Sequence, residues 1–303
     1  MNASQDALLA WYARDGRCRL PWRIVRDPYY TVVSEFMLHQ TQVDRVIPKF
    51  EEFVARYSNV SALARAKTSD VVRLWEGLGY NSRAIRLIEL ARDVVERFDG
   101  NIPRETATLR SLPGVGAYTA AAIRAFGYNE DDAAVDTNVR RIVHRTAFGI
   151  EYPPKANATE IDEAARREIP SGWGHDWNSA MMDLGARVCT ARAPLCALCP
   201  LQTSCAAAPV DPIRLAALRK QYAKAPAPQN AVPFVRTTRY ARGRIVDRLR
   251  RLAHGQRISL LDLHRELQPL LANRTLDDLG SIVLALERDG LLTRSGEAVS
   301  LKD

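Results

Sequence analysis

The sequence predicts a mainly α-helical protein with a small additional domain at its C-terminus. Three patterns support this fold class. The N-terminus is an amphipathic segment with a helix cap, later segments carry apolar stripes behind capping residues, and the tail follows a segment rich in proline and alanine. There are no internal repeats or low-complexity tracts. With 303 residues, the chain is long enough for two or three domains.

The first segment, MNASQDALLAWYARDGRCRLPWR, predicts a capped helix carrying Leu8, Leu9, Trp11 and Tyr12. It has no basic leader followed by an apolar stretch and a cleavage site, so it does not resemble an export signal. We therefore expect a cytoplasmic protein in a reducing compartment, where disulfides are disfavoured. Cys18 stands apart from the other cysteines and is expected to be a small buried residue.

The segment DPYYTVVSEFMLHQTQV predicts a helix capped by Asp27, with Pro28 at its first position. Glu35 shares a stripe with Val32 and Phe36, an apolar setting that would raise its pKa and keep it protonated, as a general acid requires. The pattern alone favours the alternative, a Glu35 that points to solvent.

The segment LPGVGAYTAAAI places Gly114, Val115 and Gly116 between a short helix ending near Leu112 and an Ala-rich helix starting near Ala117. Glycines allow backbone N–H groups to converge on an anion, and the dipole of the following helix adds to the attraction. We predict a hairpin that binds a phosphate group through its backbone, without recognising any nucleotide sequence. A GVG alone would more often be a plain turn.

The segment AVDTNVRRIVHR places Asp136 directly before an amphipathic helix. Its simplest role is that of an N-cap. The helix dipole favours an ionised carboxylate at this position, and an ionised carboxylate is also what stabilises a sugar cation. The two roles are compatible.

Four cysteines lie close together near the end of the helical core, with the spacing C-x6-C-x2-C-x5-C. Their thiolates are expected to close around one metal centre. The two candidates are a structural zinc and a 4Fe-4S cluster, and the single C-x2-C pair weakens the case for zinc. The ligands would be Cys189, Cys196, Cys199 and Cys205.

The composition is that of a soluble globular protein, with 47% hydrophobic and 26% charged residues and no apolar run long enough to cross a bilayer. The net charge is +8, and arginine supplies most of the 43 basic residues. Arginine suits phosphate recognition, so the charge modestly favours a nucleic-acid partner.

These motifs, together with WNSAMMDLGARVC before the cysteines, resemble the helix-hairpin-helix DNA glycosylases of base excision repair. Within them the resemblance is greatest to the adenine DNA glycosylases, the MutY family, over roughly residues 4–207. It implies a six-helix barrel at 27–137 against an iron-sulfur lobe formed by 1–26 and 138–207. It also implies a 4Fe-4S cluster that shapes a DNA-binding loop, in which Arg187 and Arg192 are candidates for backbone contacts.

The resemblance assigns catalytic roles to two carboxylates. It implies that Glu35 protonates the departing purine, that Asp136 is the catalytic aspartate, and that Asn138 supports the site through hydrogen bonds. Because the bond to be cut lies inside a stacked duplex, the nucleotide must be flipped into a pocket. Tyr118 occupies the position of the lysine that strand-cutting relatives use for a Schiff base, which predicts base removal without efficient strand cleavage.

The resemblance also indicates which residues contact the mispair. LPWR, WEGLGYNSRA and MMDLGA look like adenine-glycosylase segments. Trp22 and Arg23 would line the pocket for the extruded base, and Gln40 and Tyr80 would fill or wedge the gap in the duplex. His39 stands where the family commonly has glutamine, a change that alters contacts at the mispair or is a harmless solvent-facing one.

The tail departs from the family pattern. Many adenine glycosylases end in a Nudix-like domain that recognises 8-oxoguanine, but after the predicted linker at 208–233 only 234–303 remain, and no FSH loop is present. The tail predicts helices at 241–252, 260–267 and 276–289 and two short strands around Ser295-Gly296. We expect a winged-helix-like domain that either touches DNA or packs on the enzyme.

We therefore predict a monomeric, monofunctional glycosylase that acts on double-stranded DNA in the nucleoid and removes adenine mispaired with guanine or 8-oxoguanine. One alternative is a glycosylase that removes thymine or uracil opposite guanine, since tyrosine also occurs at the position of Tyr118 in those enzymes. Another is a non-catalytic iron-sulfur regulator that binds DNA. Neither a membrane nor a further cofactor is expected.

Overall fold

In a computed structural model, the structure describes residues 1–152, 157–223, 232–271 and 274–303. This part of the chain is mainly helical, which confirms the predicted fold class. Its helices are α1 (Ala3–Asp15), α2 (Pro21–Ile24), α3 (Pro28–Leu38), α4 (Val43–Arg56), α5 (Val60–Ala64), α6 (Thr68–Leu74), α7 (Ser82–Phe98), α8 (Thr106–Ser111), α9 (Ala117–Ala122), α10 (Thr137–Thr146), α11 (Ala158–Arg167), α12 (Gly174–Arg187), α13 (Pro212–Gln221), α14 (Thr238–Arg250), α15 (Leu260–Leu267) and α16 (Leu276–Arg288). The strands are β1 (Ile258–Ser259), β2 (Leu292–Ser295) and β3 (Ala298–Leu301). No helix in these ranges is both long and apolar enough to span a bilayer.

The chain forms two compact units. The first comprises residues 1–35, 102–111 and 115–225, and the second comprises 36–101, 112–114 and 226–303. These units follow different boundaries from the two predicted lobes, whose limits stay a prediction. The catalytic candidates Glu35, Tyr118, Asp136 and Asn138 all belong to the first unit.

Helices α1, α10, α11 and α12 build the main core of the first unit. Its centre includes Leu8, Ile142, Ile161 and Leu184, all essentially inaccessible to solvent. Asn2 caps α1 through a capping box with Gln5, as the N-terminal pattern predicts. Burial of these apolar side chains holds the start of α10, and therefore Asp136, in a fixed place.

Two helix starts near the catalytic candidates agree with the sequence. The Asp27 carboxylate accepts the N–H groups of Tyr29 and Tyr30 at 2.7 and 3.2 Å and so caps α3. Asp136 caps α10 in the same way, with Asn138 and Val139 as donors. Each carboxylate satisfies N–H groups that would otherwise lack partners at a helix start.

The C-terminal tail belongs to the second unit and has a winged-helix-like arrangement. Its three helices lie at almost the predicted positions, and β2 pairs with β3 as an antiparallel hairpin. A third strand, β1, was not predicted because two residues are too few for a pattern. It pairs with β3 through Ile258 and Val299, giving the strand order β1-β3-β2.

The tail shares one apolar core with helices of the second unit. Val72 of α6 and Ile85 of α7 are buried in the same cluster as Ile245, Leu249 and Val283 of the tail. The prediction that the tail is a winged helix left its packing open, and the structure places it firmly on α6 and α7.

The predicted linker at 208–233 is wrong in part. Residues 212–221 form helix α13, because Asp211 accepts the N–H of Ile213 at 2.8 Å and Pro212 occupies the first helical position. Leu215 of this helix is fully buried. The segment 224–231, which holds most of KAPAPQNAVP, lies outside the described residues.

Candidate active site

Glu35, near the end of α3, has a buried carboxyl group. The residue is only 6% exposed, which refutes the alternative that Glu35 points to solvent. Burial raises the pKa of Glu35 to about 7, although a hydrogen bond from Tyr118 and the charge of Arg23 act in the opposite direction. The negative charge of Asp136 adds to the increase. Glu35 therefore titrates near neutral pH, where a large fraction of it is a carboxylic acid with a proton to release.

Tyr118 lies at the start of α9 and forms a hydrogen bond with Glu35. Burial raises the pKa of Tyr118 well above its usual range, and the nearby charges of Glu35 and Asp136 raise it further. The phenol therefore stays neutral and donates to the carboxyl group. Glu35, Tyr118, Asp136 and Arg23 thus influence one another directly, and the structure brings together residues that are up to 113 positions apart.

Asp136 is held by three donors. Its Oδ1 atom accepts the N–H groups of Asn138 and Val139, both at 2.8 Å, and its Oδ2 accepts the Asn138 side-chain amide at 2.9 Å. Three donors stabilise a carboxylate and fix its orientation. The arrangement suits a group that must keep a negative charge in one position.

Asn138 is oriented in turn by Arg141, a residue that the sequence did not single out. The Arg141 Nη2 atom donates to the Asn138 side-chain oxygen at 2.9 Å, and its Nε donates to the Cys189 carbonyl at 2.7 Å. Gly185 of α12 allows this close packing, because a Cβ there would lie 2.6 Å from the Asn138 Cβ. A continuous set of hydrogen bonds therefore connects Asp136, through Asn138 and Arg141, with Cys189, the first of the four clustered cysteines.

Arg23 is held by an ion pair that the sequence did not predict. Its guanidinium donates to both carboxylate oxygens of Asp183, at 2.9 and 3.2 Å, and Arg17 binds the same fully buried carboxylate. Burial would raise the pKa of Asp183, but the two arginines outweigh it and hold the pKa below its usual range. Trp22, the residue that precedes Arg23, is also buried. The pocket roles of Trp22 and Arg23 stay predictions.

The predicted hairpin has the backbone that its glycines suggest. Gly114 has φ +78°, in the left-handed region, and a Cβ there would lie 2.9 Å from the Phe36 ring. Val115 is buried, whereas Gly116 is exposed and precedes α9. The loop leaves its backbone next to Gly116 open to a ligand.

Three candidate mispair contacts, His39, Gln40 and Tyr80, lie in the second unit around a buried arginine. Arg83 donates to six oxygen atoms: the carbonyls of Phe36, Met37, His39, Leu78 and Gly79 and the Thr41 hydroxyl. It therefore joins the end of α3 to the loop that carries Tyr80. Burial lowers the pKa of Arg83 to about 10, so it stays charged at neutral pH.

His39, Gln40 and Tyr80 differ in how far they reach solvent. His39 is half-buried, stacks on Phe36 and has a lowered pKa because of burial and the charge of Arg83, so its ring is neutral at pH 7. Gln40 and Tyr80 are exposed and have left-handed φ values of 58° and 46°. Such strain at residues other than glycine is concentrated at functional sites.

The four clustered cysteines line one cavity in the first unit. Burial raises the pKa of Cys199 to about 11, and the neighbouring thiols act in the same direction. Beside them, the buried Arg145 donates to the Cys189 sulfur at 3.2 Å, while its Nη2 atom is buried without a partner in the described structure. The unpartnered Nη2 atom of Arg145 and the four thiols that line the cavity fit a group that carries negative charge when bound.

In the described ranges, no set of three or more His, Cys, Asp or Glu side chains is arranged to hold a single metal ion. Cys18 does not line the cavity of the four clustered cysteines. Like them it is half-buried, which corrects the expectation of a buried residue, and its thiol donates to the Tyr12 carbonyl at 3.3 Å.

The two arginines predicted at the cysteine loop differ from each other. Arg187 donates to the Asp15 carbonyl and so also ties α12 to the end of α1. Arg192 is exposed, and within the described part of the chain its side chain has no hydrogen bond or ion pair. Their contacts with DNA stay predictions.

Comparison with known proteins identifies the family to which the chain belongs. A family model described as HhH-GPD superfamily base excision DNA repair protein matches residues 33–167. An adenine DNA glycosylase of Mycolicibacterium smegmatis is 37% identical over 280 residues, which cover 92% of this chain and 91% of that protein. A match of this length includes most of the tail. The matched region covers less of some other bacterial adenine DNA glycosylases, 57% of one and 66% of another.

Thymine-DNA glycosylases are also similar. The protein of Aeropyrum pernix is 36% identical over 210 residues, 68% of this chain and 94% of its own length. A solved thermostable thymine-DNA glycosylase has a TM-score of 0.62 and 30% identity, covering 67% of this chain and 94% of that one.

The helical fold and the family match define a helix-hairpin-helix DNA glycosylase of base excision repair. The length and sequence identity of the match to the Mycolicibacterium smegmatis protein narrow the assignment to one family within this class. The chain belongs to the adenine DNA glycosylase family, which confirms the family predicted from the sequence.

Proposed function

We propose that this chain hydrolyses the N-glycosidic bond of adenine mispaired with guanine or 8-oxoguanine in double-stranded DNA, acting as a monomer. The observation that carries the proposal is the buried Glu35, with a pKa of about 7, beside Tyr118 and Asp136. Membership of the adenine DNA glycosylase family supports adenine as the base.

The two carboxyl groups divide the chemistry between them. As the bond between base and sugar breaks, the base accumulates negative charge and takes the proton of Glu35. The sugar becomes electron-poor, and the Asp136 carboxylate stabilises it. Water then supplies a hydroxyl group to the sugar carbon and returns a proton to Glu35, so the net reaction consumes one water molecule and releases a free base.

The protein is proposed to remove the base without cutting the strand efficiently. A lyase step needs an amine that forms an imine with the sugar, and Tyr118 offers a phenol at that position. Tyr118 instead donates a hydrogen bond to Glu35. Strand breaks should therefore appear only after alkali treatment.

A panel of duplexes tests the substrate. Duplexes containing A·G, A·8-oxoguanine, T·G, U·G or only paired bases are incubated with the enzyme and then heated in alkali, which cuts at abasic sites. Cleavage at the adenine of the first two supports the proposal. Loss of thymine or uracil opposite guanine, with adenine intact, supports the alternative that the thymine-DNA glycosylase relatives represent. No cleavage in any duplex would support a non-catalytic DNA-binding protein.

We also propose that Cys189, Cys196, Cys199 and Cys205 hold a 4Fe-4S cluster. The shared cavity, the donor set of four thiolates and the unpartnered Nη2 atom of Arg145 beside it support this assignment. When bound, the cluster would serve as a structural crosslink of the loop from 189 to 205. That loop supplies the carbonyl that positions Arg141, and thereby Asn138 and Asp136.

Substitution Cys199→Ser tests the cluster. We expect the purified variant to lose the bound iron and sulfide and the broad visible absorption of the parent protein, because a hydroxyl is a poor ligand for iron of this kind. Cys18→Ser is the matched control and should keep all three, since Cys18 lies outside the cavity. Full iron content in Cys199→Ser would contradict the assignment.

A further inference from the structure

The second unit contains a groove of about 710 Å³ that has no part in the proposed chemistry. One side comes from Gln40, Arg45 and the loop of residues 76–82, and the other comes from Phe234 and helix α14 of the tail. A volume of this size lies within the range of about 300–1,000 Å³ that binds small ligands. We call this feature the tail groove.

The tail wall of the groove is fixed by polar contacts as well as by the shared apolar core. Arg250 of α14 is buried and donates to the Val72 carbonyl at 2.9 Å and to the Asn81 side chain at 2.7 Å. From the opposite side, Arg73 donates to the Leu252 carbonyl at 3.0 Å. Since these contacts fix α14 relative to α6 and α7, the groove is preformed.

The tail groove is strongly basic. Its lining includes six arginines but only two carboxylates, Glu76 and Asp247. Asp247 is already bound by Arg244 and Arg250, at 2.6 and 2.8 Å. Three of the lining arginines are exposed and, among the described residues, have no carboxylate partner: Arg45, Arg239 and Arg251. A groove with unpaired guanidinium groups attracts an anion with several charges.

Aromatic rings accompany these cations. Tyr80 and Phe234 are 39% and 59% exposed, and the Arg239 guanidinium lies 4.2 Å from the centre of the Tyr80 ring and 5.9 Å from that of Phe234. Arginine planes and aromatic faces together form the usual platform for an unstacked nucleobase. This combination favours a nucleic-acid strand over a lipid surface, because a lipid headgroup region offers no planar base to stack on the rings.

We propose that the tail groove binds a DNA strand, with an unstacked base against the Arg239 and Tyr80 pair and phosphates at Arg45 and Arg251. This inference rests on the proposed function, because flipping one nucleotide leaves neighbouring or opposite bases without their stacking partners. It gives the tail a direct role in substrate binding through arginines of α14.

The test is the salt dependence of DNA binding by the full-length protein. The variant Arg239→Gln/Arg251→Gln is compared with Arg257→Gln/Arg288→Gln, which removes the same charge from exposed tail positions outside the groove. The probe is a fluorescent duplex with a tetrahydrofuran abasic analogue opposite guanine, followed by anisotropy at several salt concentrations. No glycosylase can release a base at the analogue, so the readout does not depend on catalysis.

For the groove variant, we expect the slope of log K against log salt to become shallower by about 0.9, because Arg251 is its one proposed phosphate contact. The affinity should fall further at every salt concentration, because Arg239 is lost from the stacking platform. The control should keep the parent slope. Arg45→Gln, on the other wall, should reduce the slope by about 0.9. If the groove and control variants have the same slope and affinity as the parent, the proposal is overturned, and an acidic protein partner becomes the better occupant.

The preference for an unstacked base is tested with Phe234→Ala. This variant removes an exposed aromatic ring that lines the groove beside Arg239. We expect the ratio of affinities for the abasic and the fully paired duplex to fall by roughly 5-fold or more. An unchanged ratio would contradict the stacking role. If the parent enzyme releases no base from any mismatch while these binding effects are present, the proposed activity fails and the groove assignment stands.

Discussion

Glu35→Gln is expected to slow base release at saturating enzyme by roughly 10²- to 10⁴-fold. Glutamine keeps the size of the side chain and still accepts the hydrogen bond from Tyr118, but it has no proton to give to the departing base. The measurement is single-turnover release of adenine from an A·G duplex. Glu163→Gln, a surface helix position of the same unit, is the matched control and should match the parent enzyme.

Stability distinguishes loss of the acid from loss of the fold. Below about pH 4.5, Glu35 is protonated in both the folded and the unfolded chain. Because the folded pKa is raised to about 7, the native state loses stability as pH rises from 4.5 to 7, and the full cost persists above pH 7. Glutamine avoids this cost, so Glu35→Gln should be more stable than the parent at pH 8, by at most on the order of 3 kcal/mol. Equal stability at pH 8 would indicate that Glu35 is not desolvated.

Asp136→Asn is expected to slow base release by on the order of 10²- to 10³-fold. The change removes the negative charge that is proposed to stabilise the developing sugar cation. Asparagine is as good an N-cap as aspartate, so α10 should still form. Single-turnover kinetics together with the thermal unfolding midpoint separate these two roles of Asp136.

Asp211→Asn provides a control for the cap. Asp211 also caps a helix of the first unit, α13, through side-chain acceptance of backbone N–H groups. The Asp211→Asn variant should lose as little stability as Asp136→Asn, and it should keep the parent rate of base release. A rate for Asp136→Asn within a few-fold of the parent would mean that the carboxylate only caps the helix.

The sequence predicted the features that depend on local patterns. Caps such as Asp27 and Asp136 and the glycine hairpin follow from chemistry within a few residues, and the structure places all of them as expected. The burial of Glu35 was a weaker prediction, because its helical stripe alone was ambiguous. The resemblance to the glycosylase family decided it correctly.

The supporting network could not be predicted, because its partners are distant in the sequence. Asp183 binds Arg17 and Arg23 from 166 and 160 residues away, and Arg141 reaches Cys189 across 48. One signal was available for Asp183, a carboxylate between the apolar residues of MMDLGA. An acid on such a stripe is expected to have a buried cationic partner, although its identity requires the fold.

The packing of the tail was also beyond the sequence. The tail pattern predicted its helices but not the surface they cover. An apolar helix face indicates that it will be buried, but it does not indicate which other apolar surface will cover it. Val72 and Ile85 read as ordinary core residues of α6 and α7, yet they are buried in the tail's apolar core. Helix α13 was missed because its one fully buried residue, Leu215, gives no periodic pattern.

The central claim is that a buried, protonated Glu35 gives its proton to the departing base. The most direct test is the pH dependence of single-turnover adenine release from an A·G duplex at saturating enzyme. Since the Glu35 pKa is about 7, the account predicts a rate that falls about tenfold per pH unit above that value. A rate that stays constant or increases between about pH 6 and 9 would contradict it.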